Sequence, residues 1–191
     1  MGITARRSIG AQRNPASEKA ILDAARDLLA EDGLAGFSIE AVARRARAGK
    51  PTIYRWWPNR TRLLLAVYAG VKADMPRTDT GTLEGDVRGF IASLLAFWRD
   101  TPAGAVFRSV LAEAQGNPEA RAELDAYHHE RSQDTARDFA RHGIALQDAH
   151  RLTELAVSYA WGRLLVDRLD VDAAEIDRVA ALLTACFGSA K

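Results

Sequence analysis

The stretch FSIEAVARRARAGKPTIYRWWPNRTRLLLAVY, residues 37–68, holds two short amphipathic patterns separated by a tight turn, and a longer apolar pattern follows them. Ser38 is a good N-cap for the first pattern, which ends near Ala46. The turn is residues 47–49, and Pro58 limits the second pattern because the residue before a proline disfavours helical geometry. The stretch therefore predicts two short helices joined by a tight turn, with a longer helix after them.

Helical periodicity continues on both sides of this stretch, while alternation of apolar and polar residues is nowhere sustained. Upstream, residues 1–16 lack periodicity and are typical of a flexible basic arm, and Ser17 then caps a helix that ends at Gly33. Downstream, the pattern predicts five more helices, at about 83–100, 102–115, 117–142, 148–168 and 172–187. The chain is therefore predicted to be all-α.

The composition excludes several classes of protein. The chain has 191 residues and one cysteine, Cys186, which rules out an internal disulfide framework and any site that needs several thiolates. Its longest apolar runs, such as Leu63 to Gly70, fall far short of the ~20 residues of a membrane-spanning helix, and no apolar signal core follows the N-terminal arginines. We therefore expect a cytoplasmic location and no membrane partner.

The net charge of +1 conceals an asymmetry between the two ends of the chain. Residues 1–62 carry 12 basic and 6 acidic side chains, whereas residues 63–191 carry 14 and 19. This split favours contact between the basic third of the chain and a polyanion. Two short helices joined by a tight turn within that third indicate a helix-turn-helix, whose second helix enters the major groove of DNA.

The stretch 37–68 resembles the DNA-binding region of the TetR family of transcriptional repressors. The matching residues are Phe37 and Ser38 at the start of the second helix, Val42 and Ala43 on its apolar face, Lys50, Thr52 and Tyr54 in the third helix, and Pro58 and Arg60 after it. The turn departs from the family, which commonly has Gly, Val and Ser where this chain has Arg47, Ala48 and Gly49. The resemblance covers roughly residues 17–70 closely, and beyond them it extends only to the all-α character and the overall length.

The resemblance implies a double-stranded DNA operator as partner, and roles for the residues of the turn and the third helix. The candidates for contacts with phosphates are Lys50, Thr52, Tyr54 and Arg60. The candidates for reading bases are Arg47 and Arg55, whose forked guanidinium groups suit guanine, and Pro51 and the methyl group of Thr52, which suit thymine. The candidates for the minor groove are Arg6, Arg7 and Arg13. In a chain without this motif, a run of arginines such as those at 44, 45 and 47 would be interpreted simply as the solvent-exposed face of a helix.

The resemblance also implies that the remaining helices enclose a small-molecule pocket, whose occupancy shifts the spacing of the DNA-reading helices. The candidate lining residues are Trp98, Phe107, Tyr127, His128, Tyr159 and Arg163. The alternative is that these are ordinary core residues, and that Arg163 pairs with Asp167 one turn later. If the pocket exists, we expect an effector that is largely apolar or aromatic.

The last two predicted helices, 148–168 and 172–187, are apolar on more than one side and must therefore be covered on more than one side. A partner subunit is one source of that cover, so we expect a homodimer with an isologous four-helix interface. Leu164 and Leu183 are the seam positions that this interpretation selects.

These patterns and the resemblance divide the chain into a basic arm (1–16), a helix-turn-helix domain (17–62) and a ligand-binding and dimerisation domain (63–191). It predicts a ligand-responsive dimeric repressor that binds a palindromic operator. The alternatives are an all-α small-molecule-binding protein without sequence-specific DNA binding, and a helical-bundle enzyme. No catalytic motif is present, and the adjacent His128 and His129 point in different directions on a helix, so we expect no catalysis, no metal site and no cofactor.

Overall fold

The computed structural model describes residues 14–75 and 77–187, and in that part of the chain it is helical without strands. The described residues form two compact units, one that ends at Arg60 and one that begins at Thr61. The first unit contains the helices α1 (Pro15–Glu31), α2 (Gly33–Gly36), α3 (Ile39–Ala46) and α4 (Lys50–Trp56). The candidate minor-groove residues Arg6, Arg7 and Arg13 lie outside the described residues.

The start of α1 corrects the sequence interpretation. The side chain of Asn14 accepts a hydrogen bond from the Ala16 N–H (3.0 Å), and Pro15 occupies the first turn, so Ser17 is not the N-cap. The assignment of residues 15 and 16 to the arm was therefore wrong. An Asn–Pro pair is a strong start signal, because Asn satisfies a free backbone donor and proline lacks one.

The core of the first unit forms where α1 packs against α3 and α3 packs against α4. Its buried residues include the predicted stripe of α1, which is Ile21, Ala24, Ala25, Leu28 and Leu29. Gly33 ends α1 in a left-handed conformation (φ +63°). Ser38 caps α3 by accepting the Ala41 N–H at 3.1 Å, as predicted. These local signals fix the lengths of both helices.

The second unit contains six helices that pack through an apolar interior. They are α5, which begins at the end of the first unit (Arg60–Lys72), α6 (Leu83–Asp100), α7 (Ala103–Gly116), α8 (Pro118–Ala140), α9 (Leu146–Leu165) and α10 (Ala173–Ala185). Helix α8 packs against α7 and α9, and α6 packs against α9 and α10. None of the helices in the described ranges is both long and apolar enough to span a bilayer.

The two C-terminal helices are apolar on more than one side, as the sequence indicated, but the two sides have different environments. Leu164 is fully buried within the protomer, so its selection as a seam position was wrong. The exposed leucines of the two helices are Leu146, Leu155 and Leu165 on α9 and Leu182 on α10. Leu182, in the last turn of α10, is 71% exposed.

Candidate nucleic-acid interface and internal cavity

The turn between α3 and α4 is built on Arg47, which adopts a left-handed conformation (φ 51°, ψ 37°). Its N–H bonds the carbonyls of Ala43 and Arg44, and the Ala48 N–H bonds the Ala43 carbonyl at 3.0 Å. These bonds satisfy the last carbonyls of α3 in the manner of a helix C-cap. An L-residue in this conformation costs about 1–2 kcal/mol, and the resemblance stated above places glycine in this turn.

Helix α4 begins at Gly49, whose extended backbone (φ −70°, ψ 137°) serves as N-cap without a side-chain hydrogen bond. Ile53 and Trp56 are buried and anchor the back of the helix in the first unit. The opposite face exposes four of the predicted contact residues, Lys50, Pro51, Tyr54 and Arg55, and Thr52 is half-buried beside them. Tyr54 is 46% exposed, so its ring and hydroxyl are accessible at this surface.

The cations around α4 fall into paired and unpaired groups. Arg45 makes a two-pronged ion pair with Glu31 (2.7 and 2.5 Å), and Lys50 lies 3.2 Å from Glu40. Arg44 and Arg47 are exposed, and no hydrogen bond or ion pair joins their guanidinium groups to the described residues. Sequence reasoning left Arg44 out of the interface because a run of arginines does not show which member is neutralised.

Arg60 has a different environment from the other candidates. Its guanidinium donates to the Leu34 carbonyl (3.5 Å) and lies 5.5 Å from the centre of the Phe37 ring. The structure therefore brings Lys50, Pro51, Thr52, Tyr54 and Arg55 together on α4, with Arg47 at its entrance, and places Arg60 against the segment between α2 and α3. The face of α4 combines cationic, hydroxyl and apolar groups, which is the chemistry needed for phosphates and base edges.

The second unit contains a cavity of about 150 Å³ near the end of α5, between α6 and α8. Lys72, Tyr127, Arg131, Phe90 and Phe139 are among its lining residues. A smaller space of about 30 Å³ adjoins it and shares Lys72, Tyr127 and Arg131. Trp98, Phe107 and His128 line the smaller space, so the structure brings four of the six predicted ligand residues together there.

Stacked aromatic rings form the deep wall of the smaller space. The rings of Tyr68 and Phe107 are 4.6 Å apart, those of Trp98 and Phe107 are 5.7 Å apart, and Trp98 Nε1 donates to the Tyr68 hydroxyl (2.8 Å). Burial raises the pKa of Tyr68 well above its ordinary value, so its hydroxyl stays neutral. This wall is apolar and rigid.

Three polar groups near the cavity have pKa values shifted by burial. Burial, with repulsion from Arg131, lowers the pKa of Lys72 to about 8. Burial raises the pKa of Tyr127, whose hydroxyl oxygen is buried without a hydrogen-bond partner among the described residues. Burial lowers the pKa of His128 and so favours its neutral form. Sequence reasoning missed Lys72, because a lysine at the end of an apolar helix normally reaches water.

Tyr159 and Arg163 lie outside this cavity. The Tyr159 hydroxyl donates to Glu175 (2.9 Å), and Arg163 forms an ion pair with the same carboxylate, which joins α9 to α10. The predicted pairing of Arg163 with Asp167 was wrong, since Asp167 accepts from Arg108 at 2.5 Å. Within the ranges that the structure describes, no three His, Cys, Asp or Glu side chains cluster as metal ligands.

Comparison with known families divides the chain into two matched regions. Residues 21–67 match the family described as bacterial regulatory proteins, tetR family. Residues 77–183 match the family described as tetracyclin repressor-like, C-terminal domain, and this match alone covers more than half of the chain.

Curated relatives are similar over part of their length. The uncharacterized HTH-type transcriptional regulator YdeS of Bacillus subtilis is 32% identical over 107 residues, which are 56% of this chain and 54% of that protein. The HTH-type transcriptional regulator AqdR of Rhodococcus erythropolis is 30% identical over 100 residues, or 52% and 48% of the two chains. Each match thus spans about half of the relative.

Solved structures share the fold at low sequence identity. The TetR family transcription regulator SCO0332 superposes with a TM-score of 0.72 at 23% identity, over 87% of this chain and 96% of that one. A TetR transcriptional regulator from Agrobacterium tumefaciens superposes with a TM-score of 0.62 at 21% identity, over 94% of this chain and 97% of that one. The multidrug binding protein EbrR, solved in complex with imidazole, superposes with a TM-score of 0.58 at 17% identity, over 89% of this chain and 96% of that one.

Proposed function

This chain belongs to the TetR family of bacterial regulatory proteins and is a transcriptional regulator, and on that premise we propose that it is a ligand-responsive repressor that binds a palindromic operator as a homodimer. The observation that carries the proposal is the two-sided character of α4. Its back is anchored by buried Ile53 and Trp56, while its front exposes donors to solvent. A short helix held in this way suits insertion into the major groove.

The roles at the DNA surface follow from the chemistry and the exposure of each side chain. We assign Lys50, Tyr54 and the unpaired Arg44 to phosphate contacts, which would set the register and affinity of the complex, because all three are exposed donors. Arg55 and Arg47 are the side chains proposed to read guanine, with Pro51 and Thr52 beside them for apolar contact. Because Arg60 bonds Leu34, we assign it first to positioning and only then to a phosphate.

A dimer interface on α9 and α10 is supported by the exposed apolar residues of those helices. Leu155 and Leu165 are 47% and 53% exposed, and Leu182 on α10 is 71% exposed. Gly162, also exposed, lies between the two α9 leucines and allows another helix to approach closely. An isologous dimer through this surface carries two copies of α4, the number that an operator with two half-sites requires.

An effector site is supported by the cavity that Lys72 and Tyr127 line together. EbrR, which shares the fold, is a multidrug binding protein whose structure was solved with imidazole. Helix α5 begins at Arg60 and ends beside the cavity at Lys72, so it is a route by which occupancy is coupled to the spacing of the DNA-reading helices.

The test is operator binding measured at several salt concentrations, with DNA fragments selected by the purified protein. Arg44→Gln is expected to reduce the slope of log affinity against log salt by about one unit, because one phosphate contact is lost. Arg26→Gln is the matched control, since Arg26 is an exposed arginine on α1 that lies 3.3 Å from Asp23. Equal slopes for both variants, or no selected sequence at all, would contradict the proposed interface and favour the ligand-binding protein without sequence-specific DNA binding.

A further inference from the structure

Each carboxylate that lines the cavity already has polar partners within the protein. Three aspartates lie there, one on α6 and two on α8. Asp134 pairs with Arg137 (2.9 Å) and Asp138 with Arg77 (3.6 Å), so guanidinium groups compensate both charges. Asp86 accepts hydrogen bonds from the Thr80 N–H (2.7 Å) and hydroxyl (2.9 Å) and lies 2.8 Å from His142, so its oxygens are occupied by the protein.

Two hydrogen-bond donors that line the cavity, the Lys72 ammonium and the Tyr127 hydroxyl, differ from the carboxylates in having no partner among the described residues. No hydrogen bond or ion pair joins the Lys72 ammonium to the described residues, and no carboxylate contributes to its lowered pKa. The Tyr127 hydroxyl is buried, with the residue only 9% exposed, and it also lacks a hydrogen-bond partner in this part of the chain. Arg131 pairs with Glu130 (2.9 Å) and Asp134 (3.8 Å), and repulsion from its charge contributes to the lowered pKa of Lys72.

The Tyr127 hydroxyl is a buried donor without a partner, which costs free energy and calls for an acceptor that the described residues do not supply. Lys72 is only partly buried, and it lines the larger cavity and the smaller space together with Tyr127, so both donors are available to one ligand. With a pKa of about 8, Lys72 is mostly protonated at pH 7, and an anion beside it offsets part of the hydration free energy that desolvation removes.

The size and the remaining walls of the cavity limit the rest of the ligand. An apolar cavity of about 150 Å³ holds a molecule of the size of benzene, and the volume here is about 150 Å³. Phe90 and Phe139 meet edge to face (5.9 Å) on its wall, and Ala69 and Ala73 add small apolar contacts. The space therefore suits an apolar body of about one ring.

We infer that this cavity binds a small organic acid, whose carboxylate accepts hydrogen bonds from Lys72 and Tyr127 while a one-ring apolar body lies against Phe90 and Phe139. This inference rests on the proposed effector role of the same site and narrows the class of effector from largely apolar or aromatic to anionic. An aryl carboxylate fits this description.

The test compares phenylacetate with its neutral isostere phenylacetamide, using calorimetry on the full chain. For ligands of this size the dissociation constant is expected at or below about 10 mM. Wild type is expected to bind phenylacetate at least about tenfold more tightly than phenylacetamide, because the carboxylate forms an ion pair with Lys72 whereas the amide carbonyl accepts a weaker hydrogen bond. Lys72→Met should abolish this preference, with a much larger loss of affinity for phenylacetate than for phenylacetamide.

Two further variants separate the site from general effects on charge and folding. Tyr127→Phe keeps the ring and is expected to weaken phenylacetate binding several-fold by removing one donor. Lys19→Met removes a lysine from α1, where it pairs with Asp23, and is expected to leave both affinities unchanged. Equal affinity for acid and amide, a preference that survives Lys72→Met, or no binding of either probe at about 10 mM overturns the inference.

Operator affinity, measured in the same samples, distinguishes this inference from the proposed function. If phenylacetate binds through Lys72 but leaves operator affinity unchanged at saturation, the anion site stands and the effector role fails. If a neutral compound releases the operator and its affinity is the same in Lys72→Met, the effector role stands and the anion site fails.

Discussion

The left-handed Arg47 provides a quantitative test of the turn that presents α4. Arg47→Gly and Arg47→Ala both remove the exposed guanidinium and keep the backbone N–H that caps α3, but only glycine adopts φ 51° without a steric penalty. The penalty for an L-residue is about 1–2 kcal/mol, and the additional chain entropy that glycine loses on folding is about 0.5–1 kcal/mol. Arg47→Gly should therefore exceed Arg47→Ala in stability by about 0.5–1 kcal/mol.

A matched pair at Arg44 should show the opposite order. Arg44 is also exposed but lies within α3, where helical geometry favours alanine over glycine by about 1 kcal/mol. The assay is urea unfolding followed by circular dichroism, at one protein concentration because dimerisation makes apparent stability concentration-dependent. In a thermal scan the expected difference is about 1–4 °C for a chain of this length.

The result that refutes the reasoning is an Arg47→Gly variant no more stable than Arg47→Ala, while the Arg44 pair behaves as expected. That outcome means that Arg47 does not hold the left-handed conformation in solution. Operator affinity gives a second, independent reading of the same variants. If Arg47 reads a base, glycine and alanine should weaken operator binding equally, by about 1–3 kcal/mol at one position.

Three further predictions concern the cap of α4, the dimer surface and a buried carboxylate. Gly49→Ser should stabilise the protein by about 0.4–1 kcal/mol through reduced unfolded-state entropy and an added cap, since its new Cβ meets only ordinary contacts; a loss of stability in urea unfolding would contradict this. Leu182→Glu should give a folded monomer by light scattering because this residue is exposed in the protomer, whereas Leu164→Glu should fail to fold; a dimeric Leu182→Glu variant would place the interface elsewhere. Burial alone raises the pKa of Asp86, but hydrogen bonds from Thr80 and His142 outweigh burial and lower the pKa overall. The ionised Asp86 therefore stabilises the folded protein above the pKa of an unfolded-state aspartate, and this stabilisation is lost as pH falls through the lower pKa of the folded state. Asp86→Asn should therefore cost about 1–3 kcal/mol near pH 7, with a smaller deficit under acid conditions, and a pH-independent deficit would contradict this account.

The sequence by itself determined the helix-turn-helix and every helix of the described residues except the short α2. Ser38 caps α3 and Gly33 ends α1 because capping uses atoms within one turn of the same helix, so the necessary information is local. The start of α1 was also local, in the Asn14–Pro15 pair, and was simply misassigned to Ser17.

Only the tertiary structure decided which polar and apolar groups are left without partners. Leu164 and Leu165 are adjacent and equally apolar, yet one is fully buried and the other half-exposed, because packing against other helices selects one side of α9. Arg163 pairs with Glu175 across two helices, and the nearer Asp167 pairs with Arg108. The lowered pKa of Lys72 also depends on the tertiary structure, because the desolvation that lowers it comes from the helices that cover the side chain and not from its neighbours in the chain.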